Sequence, residues 1–448
     1  MKILFCNPPW WIGEHDVQID ARTTPKWTSG IRAGSRWPHT NLVNSSPDNY
    51  VFGDYTPYPF FMGYAASTLQ QFPELDVHFR DSIAIRESYD SFFEYLMAEK
   101  FDLIFIESAS PSWQHDSWLL FQIKKAHLGC EIIVTGPIAT KAEEIMKDHP
   151  IAACIKGEYE KGAIRVINGE RGVIDFDLLT LEEMNAAPFP YFDEQIAHRY
   201  FDGEPHGQQA PQLQVWSSRG CPFKCIFCVW PAVMTGNDPR GDAARKVRHY
   251  SADYMEAMLT ELIGRYGYKT VYFDDDTFNL GNHHVEAMCE VMSRIGLPWS
   301  AMCRADTIRK DTWRIMHEAG CFGVKLGFES GDQWVLNNIV NKHLDLGVAR
   351  ETVDEIKRLG MSIHGTFTLG LPGETQEQMQ TTRTFIDELA LDSYQLSGTA
   401  EIEGTPLANL STEGGLAEYA GATKDEDYIS ETDGSIKYLE LVRQLQEN

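Results

Sequence analysis

Apolar runs alternate along the chain with stretches of helical spacing. Runs of about four to eight apolar residues bounded by turn formers read as buried strands. Five such runs come first: Lys2–Asn7, Asp76–Phe79, Asp102–Glu107, Glu131–Gly136 and Ala152–Ile155. Between them, Pro59–Gln71, Tyr89–Glu99 and a segment from Trp113 to about His127 carry helical spacing. Short strands separated by helices of roughly 10–15 residues predict a doubly wound, Rossmann-like parallel sheet over residues 1–168. In such sheets, ligands bind outside the carboxyl ends of the strands.

Two stretches break this rhythm. Residues 10–58 have no periodicity and hold Trp10, Trp11, Trp27, Arg32, Arg36, Trp37 and His39. A loop of that length is commonly functional. It either covers the ligand edge or is a surface excursion on which its tryptophans pack. From 169 to 209 the pattern weakens through Ala187-Pro-Phe-Pro-Tyr-Phe-Asp193, which reads as a linker.

A second α/β pattern follows. Strands are predicted at Gln212–Ser218, Thr270–Asp275, Trp299–Arg304, Gly323–Glu329, Ile363–Leu369 and Tyr394–Gly398. Helices are predicted at Ala252–Tyr266, His283–Ile295, Lys310–Ala319, Leu346–Leu359 and Thr375–Ala390. Six such units predict a partial (β/α)6 barrel over residues 210–400, with its chemistry at the strand C-terminal ends. The tail, 401–448, is acidic and Gly-rich and ends in an amphipathic stretch, Ile436–Leu445. It either caps the barrel mouth or lies peripherally.

Composition narrows the function. With 448 residues, a length prior gives two or three domains. No run approaches the ~20 apolar residues that span a bilayer, and the N-terminus lacks a signal-peptide cleavage site. The expected location is the cytoplasm, with no membrane partner. The net charge of −26 argues against nucleic acid, since phosphate contacts need a basic surface. Of nine cysteines, Cys6, Cys130, Cys154, Cys289, Cys303 and Cys321 are scattered in apolar runs and read as buried free thiols.

The remaining three lie together in Gly220-Cys221-Pro-Phe-Lys-Cys225-Ile-Phe227-Cys228, a C-x3-C-x2-C spacing. Three thiolates on one tight loop can hold an iron–sulfur cluster whose fourth iron is left for a small molecule. A structural zinc site normally closes with four ligands, and no partner pair is present. This motif, with the aromatic Phe227 before its last cysteine, resembles the radical SAM superfamily, in which the open iron chelates S-adenosylmethionine (SAM). Upstream, Asn7-Pro8-Pro, Ser108-Ala-Ser110-Pro, Thr135-Gly136-Pro-Ile-Ala-Thr140 and Lys156-Gly157-Glu158-Tyr resemble the ligand loops of the cobalamin-dependent radical SAM family, the class B methyltransferases. That family often has Gly-Gly-Pro-His-Ala-Thr-like and Arg-Gly-Glu-like turns, so the match is not letter-perfect. Gly327-Phe-Glu329-Ser-Gly331 and Leu369-Gly-Leu-Pro-Gly-Glu-Thr375 match further runs of the family.

The resemblance implies three cofactors: a [4Fe-4S] cluster on Cys221, Cys225 and Cys228, SAM, and cobalamin. SAM contacts would come from Phe227, Asp275, Arg304 and Glu329. Arg304 could grip the SAM carboxylate as a planar fork, and the acidic run Asp274-Asp275-Asp276 suits an ammonium or ribose diol unless it serves as a helix N-cap. Cobalamin contacts would come from Pro8, Ser108, Ser110, Thr135, Gly136, Thr140, Gly157 and Glu158. His283 and His284 at a helix start read as solvent-facing.

The implied activity is C-methylation of an unactivated carbon by a two-SAM route, with a 5′-deoxyadenosyl radical and methylcobalamin, fed by a flavodoxin- or ferredoxin-type donor. A protein or peptide substrate, such as a glutamine of methyl-coenzyme M reductase, is one expectation. A radical oxidoreductase or cyclase that transfers no methyl group is the alternative. No Asp-x-His-x-x-Gly loop is present, and His15 lacks its neighbours, so no histidine is expected under the cobalt unless it is His39. No catalytic acid or base is nameable.

Overall fold

The structure is a computed structural model, and it describes residues 1–13, 27–29, 56–126, 129–235, 244–399 and 401–413. The chain forms two compact units, Met1–Asp202 with Val229–Asn237, and Gly203–Cys228 with Asp238–Asn448.

The first unit is built on one six-stranded parallel sheet. Its strands are β1 (Lys2–Asn7), β2 (Asp76–Asp81), β3 (Leu103–Glu107), β4 (Glu131–Thr135), β5 (Ala153–Ile155) and β6 (Gly172–Ile174), in the order β2-β1-β3-β4-β5-β6. Buried on both faces, β1 is apolar from Ile3 to Cys6 and β3 from Leu103 to Ile106, as central parallel strands must be. Phe5 of β1 stacks on Phe105 of β3, with ring centroids 4.4 Å apart. The helices are α1 (Phe60–Leu69), α2 (Tyr89–Glu99), α3 (Trp113–Lys125), α4 (Ala142–Asp148), α5 (Tyr159–Ile167) and α6 (Leu181–Ala186). Helix α1 is apolar almost all round and buried, packing on α5 through Phe61 and Tyr159. The opposite face holds Phe92, Leu96, Leu119, Leu120 and Ile123.

The strand order reverses between β1 and β3, which makes the crevice outside their carboxyl ends the ligand position of a doubly wound sheet. Asn7-Pro8 and Ser108 stand there.

Two expectations need correction. The 169–209 stretch is not a bare linker: β6 pairs with β5 from Gly172 to Ile174, and α6 starts on a Thr180–Glu183 capping box. Three residues are too short a run to announce a strand, and an edge position with half-exposed side chains removes the apolar signal. Within 10–58, the backbone pairs Trp11–Gly13 with Trp27–Ser29, although no alternation marks the pair. Trp10 is buried, whereas His15, Arg32, Arg36, Trp37 and His39 lie outside the described residues.

The second unit carries β7 (Gln212–Val215), β8 (Thr270–Phe273), β9 (Trp299–Cys303), β10 (Cys321–Glu329), β11 (Ser362–Leu369) and β12 (Ser393–Gly398). They pair in parallel in the order β12-β11-β10-β9-β8-β7, the open sheet of a partial barrel. The helices are α7 (Ala252–Tyr266), α8 (Asn282–Ile295), α9 (Lys310–Glu318), α10 (Gln333–Asn338), α11 (Leu346–Arg358), α12 (Gln376–Leu389) and α13 (Pro406–Glu413). Their ends follow local chemistry. Ser251, Asp345 and Thr375 accept first-turn N–H groups, and Gly267 and Gly296 close α7 and α8 in the left-handed region. Helix α10 was not foreseen, since six residues fall below a legible period. The stretch Ile436–Leu445 lies outside the described residues. No helix among them is long and apolar enough to cross a membrane.

Candidate active site

In the second unit the cysteine loop follows β7, where Ser218-Arg219 pairs antiparallel with Arg248-His249. None of the nine cysteines is in a disulfide; Cys221, Cys225 and Cys228 are partly exposed, and the other six are buried. The loop is held by backbone bonds on both edges. Ile226 N–H donates to the Val340 carbonyl at 3.0 Å, and its carbonyl accepts from Leu407 N–H at 2.9 Å. Asn341 Nδ2 donates to the Lys224 carbonyl at 3.2 Å, and Cys228 N–H closes a turn onto the Cys225 carbonyl. Desolvation, helped by the Asp276 carboxylate, raises the Cys221 thiol to about 11. Desolvation also raises Cys225. Such thiols carry thiolate at neutral pH only when a metal takes the proton's place. Among the described residues no three His, Cys, Asp or Glu groups are placed to hold a single metal ion. The cysteine loop fits instead a cluster in which each sulfur takes a different iron.

Glu329 ends β10, buried, with φ +69. The register against β11 shifts between Gly327 and Glu329, so that Phe328 is skipped and Glu329 pairs with Phe367. Its Oε1 accepts from Lys342 Nζ at 3.0 Å and its Oε2 from Thr368 Oγ1 at 3.2 Å. A left-handed non-glycine residue costs energy and persists where the fold overrides it, commonly at functional sites. Glu329 is therefore a fixed carboxylate at the barrel's C-terminal edge.

Two predicted SAM contacts are committed inside the protein. Asp275 is fully buried and accepts from Ser217 N–H at 3.1 Å, Ser217 Oγ at 2.9 Å and Ser218 Oγ. It anchors the strand leading into the cysteine loop. Neighbouring Asp276 accepts from Gly220 N–H at 3.2 Å. Arg304 turns its fork onto Asp306, both bonds 2.8 Å, and stacks 3.6 Å above the Phe223 ring. It also donates to the Lys342 carbonyl at 3.1 Å. The planar fork is real, but its partner is a carboxylate two residues away. Phe227 is buried beside the last cysteine.

His284 is not solvent-facing: it is buried, stacks on His249 with centroids 4.0 Å apart, and meets Ser217 Oγ at 3.0 Å. Burial lowers it to about 3, so the ring is neutral. His283 is exposed. Lys342, which neither periodicity nor motif marked, is the residue that sequence reasoning missed.

In the first unit the strand-end loops converge as the sheet requires, yet most predicted contacts serve the fold. Ser108 Oγ and Ser112 Oγ both donate to Asp116 Oδ2, at 2.6 and 2.7 Å. Thr135 Oγ1 donates to the Ile106 carbonyl, and Thr140 Oγ1 to the Pro137 carbonyl. Gly136, at φ +89, would place a Cβ 2.3 Å from the Ser108 oxygen. Gly157, at φ +85, would place one 2.8 Å from the Phe176 ring. Glu158 is buried and accepts Leu179 N–H at 2.8 Å. Pro8 is buried, and Ser110 and Thr140 are partly exposed.

Asn7 is informative in a way the sequence did not show. Its Nδ2 donates to Asp81 Oδ1 at 3.0 Å, which fixes the amide's orientation. Its Oδ1 is buried without a hydrogen-bond partner. An orphaned acceptor at the switch point suits a ligand that presents amide N–H groups.

A parallel open barrel with a three-cysteine loop after its first strand, in a chain that also holds a doubly wound sheet, is the architecture expected of a radical SAM domain joined to a second α/β unit. Residues 217–386 match the Radical SAM superfamily. The chain is 26% identical to an uncharacterized methyltransferase of Pyrococcus horikoshii over 373 residues, covering 78% of this chain and 77% of the relative. Its fold is similar to that of the radical SAM methyltransferase TsrM from Kitasatospora setae, solved with tryptophan and a SAM analogue (TM-score 0.64, 14% identity, 93% of this chain and 76% of the other). It is also similar to OxsB, a cobalamin-dependent SAM radical enzyme solved with aqua-cobalamin and SAM (TM-score 0.63, 14% identity, 98% of this chain and 66% of the other). Residues 217–386 therefore form a domain of the radical SAM kind, and the chain as a whole has a fold similar to that of these two enzymes.

Proposed function

We propose that the protein is a cobalamin-dependent radical SAM C-methyltransferase acting on an unactivated carbon. The observation that supports this most is the joint presence, in one chain, of the pinned cysteine loop facing Glu329 and a doubly wound sheet with an orphaned acceptor at its switch point. Cys221, Cys225 and Cys228 would hold the cluster, and Glu329 would take the polar end of SAM. Asn7, Ser110 and Thr140 would line the cobalamin side. When bound, these groups supply a carbon-centred radical and a methyl donor. The chain's own part is to fix their positions and to exclude water. Asp275 and Asp276 hold the approach to the cysteine loop from beneath, and the Arg304–Asp306 pair packs on Phe223 within it. No side chain is assigned as acid or base.

For the acceptor we favour a protein or peptide side chain, a glutamine of methyl-coenzyme M reductase among them, and for the electron donor a flavodoxin or ferredoxin. These rest on the sequence resemblance alone. An oxidoreductase that transfers no methyl group is the competing reading. It is separated by stoichiometry. Anaerobically reconstituted protein should bind about four irons per chain, and Cys221→Ala, Cys225→Ala or Cys228→Ala should lose both the cluster and SAM cleavage. Turnover with an acceptor should release 5′-deoxyadenosine and S-adenosylhomocysteine in near-equal amounts. Deoxyadenosine with an unmethylated product would sink the methyl-transfer reading.

A further inference from the structure

Beside Glu329 lies a buried cation with no role in the activity described so far. Lys342 is 5% exposed, and its Nζ meets Glu329 Oε1 at 3.0 Å. It sits in the short strap 339–343 between α10 and α11. The residues on either side, Asn341 (φ 57) and His343 (φ 53), are both left-handed and neither is glycine. Left-handed positions on both sides of one residue are retained where the surroundings over-determine them.

Here the surroundings are the site itself. Val340 accepts from Ile226 and Asn341 donates to Lys224, so the strap is bonded to the cysteine loop on both sides of Cys225. The Lys342 carbonyl accepts from Arg304. Gly327 keeps the approach open, since a Cβ there would lie 2.6 Å from Glu329 Oε1 and 2.9 Å from Lys342 Nζ. Arg304 is matched by its own Asp306.

We propose that Lys342 is a positioning residue that holds Glu329 in its SAM-facing orientation and, through its charge beside Cys225, raises the reduction potential of the cluster. The inference rests on the cluster-and-SAM reading above. Positive charge near an iron–sulfur cluster favours the reduced, more negative state, and a buried pair is screened little by solvent. Without the ammonium, Glu329 would stand as a buried carboxylate with no opposite charge on it.

The test is an EPR-monitored redox titration of reconstituted protein, with SAM binding followed by its effect on the reduced-cluster spectrum. Lys342→Met should lower the midpoint potential and weaken SAM binding by about tenfold or more, whereas Lys342→Arg should keep both near wild type. Lys342→Met/Glu329→Gln removes both charges, so the midpoint should return towards wild type while SAM binding stays weak. A cluster that loads in Lys342→Met with an unchanged midpoint overturns this inference alone, as does a double variant no closer to wild type than the single. A wild-type protein that takes up no iron overturns the radical SAM reading and this inference with it.

Discussion

Gly136 has no room for a side chain. Its φ of +89 already excludes most residues, and an added Cβ would lie 2.3 Å from a backbone oxygen of Ser108, which cannot swing away. Gly136→Ala should therefore destabilise the first unit by about 2–5 kcal/mol, combining left-handed strain with overpacking. Thermal unfolding of the cofactor-free protein measures the loss, and a change below about 1 kcal/mol would contradict the close approach. Residue identity and residue role were legible to different degrees. The cysteine loop and Glu329 stood out because their chemistry is local: a fixed spacing, or a carboxylate at a strand end. Asp275 and Arg304 were singled out as well, but their partners were not. Asp275 is satisfied by serines 57 and 58 positions earlier, and Arg304 is drawn to Asp306. Which of several acceptors a buried group takes depends on packing that no linear pattern records.

At the scale of the element, β2 ends on a carboxylate whose burial sets a pH dependence. Asp81 accepts from Asn7, Tyr200, Ile83 and Ala84, yet desolvation outweighs these bonds and raises it from 3.8 to about 6. Between those values the folded state holds the proton more tightly than the unfolded chain. Stability therefore falls as pH rises from about 4 to 6, by about 3 kcal/mol in order of magnitude. Buried Glu374, raised by desolvation from 4.5 to about 7, adds the same sign over a slightly higher window. Asp81→Asn keeps an acceptor for the backbone N–H groups and should flatten the dependence between pH 4 and 6 in thermal unfolding. A variant curve that parallels wild type across that window would refute the assignment. The long strands and helices were legible to within one to three residues because burial imposes a period on them. The three-residue β6, the Trp11–Gly13 and Trp27–Ser29 pair, the short helices α4, α5, α6 and α13, and α10 with its strap were not. Elements this short are held by neighbours, and their residues need follow no pattern of their own.

For the whole molecule, the two α/β patterns were readable, but the course of the chain between the units was not. Val229–Asn237, immediately after the last cysteine, folds with the first unit, where Trp230 packs edge-on to Phe61 with centroids 6.2 Å apart. An excursion of nine residues carries no compositional mark. Net charge, in contrast, is a property of the chain alone, and at −26 it makes self-repulsion a term in stability. Salt acts on two opposing quantities. It weakens exposed ion pairs such as Arg294–Glu256, Arg350–Glu388 and Arg314–Glu318. Pairs this exposed contribute little to stability. It also screens the excess negative charge, because the Debye length shrinks from roughly 10 Å at 0.1 M to roughly 3 Å at 1 M. With so many unmatched carboxylates the second effect should win. Raising sodium chloride from about 0.05 to 0.5 M should lift the unfolding midpoint, by about 2–4 °C for each kcal/mol of repulsion removed. Chloride is the anion to use, since sulfate stabilises by exclusion whatever the charge. A midpoint that falls with chloride would mean that the ion pairs, rather than the net charge, dominate the electrostatics of this fold.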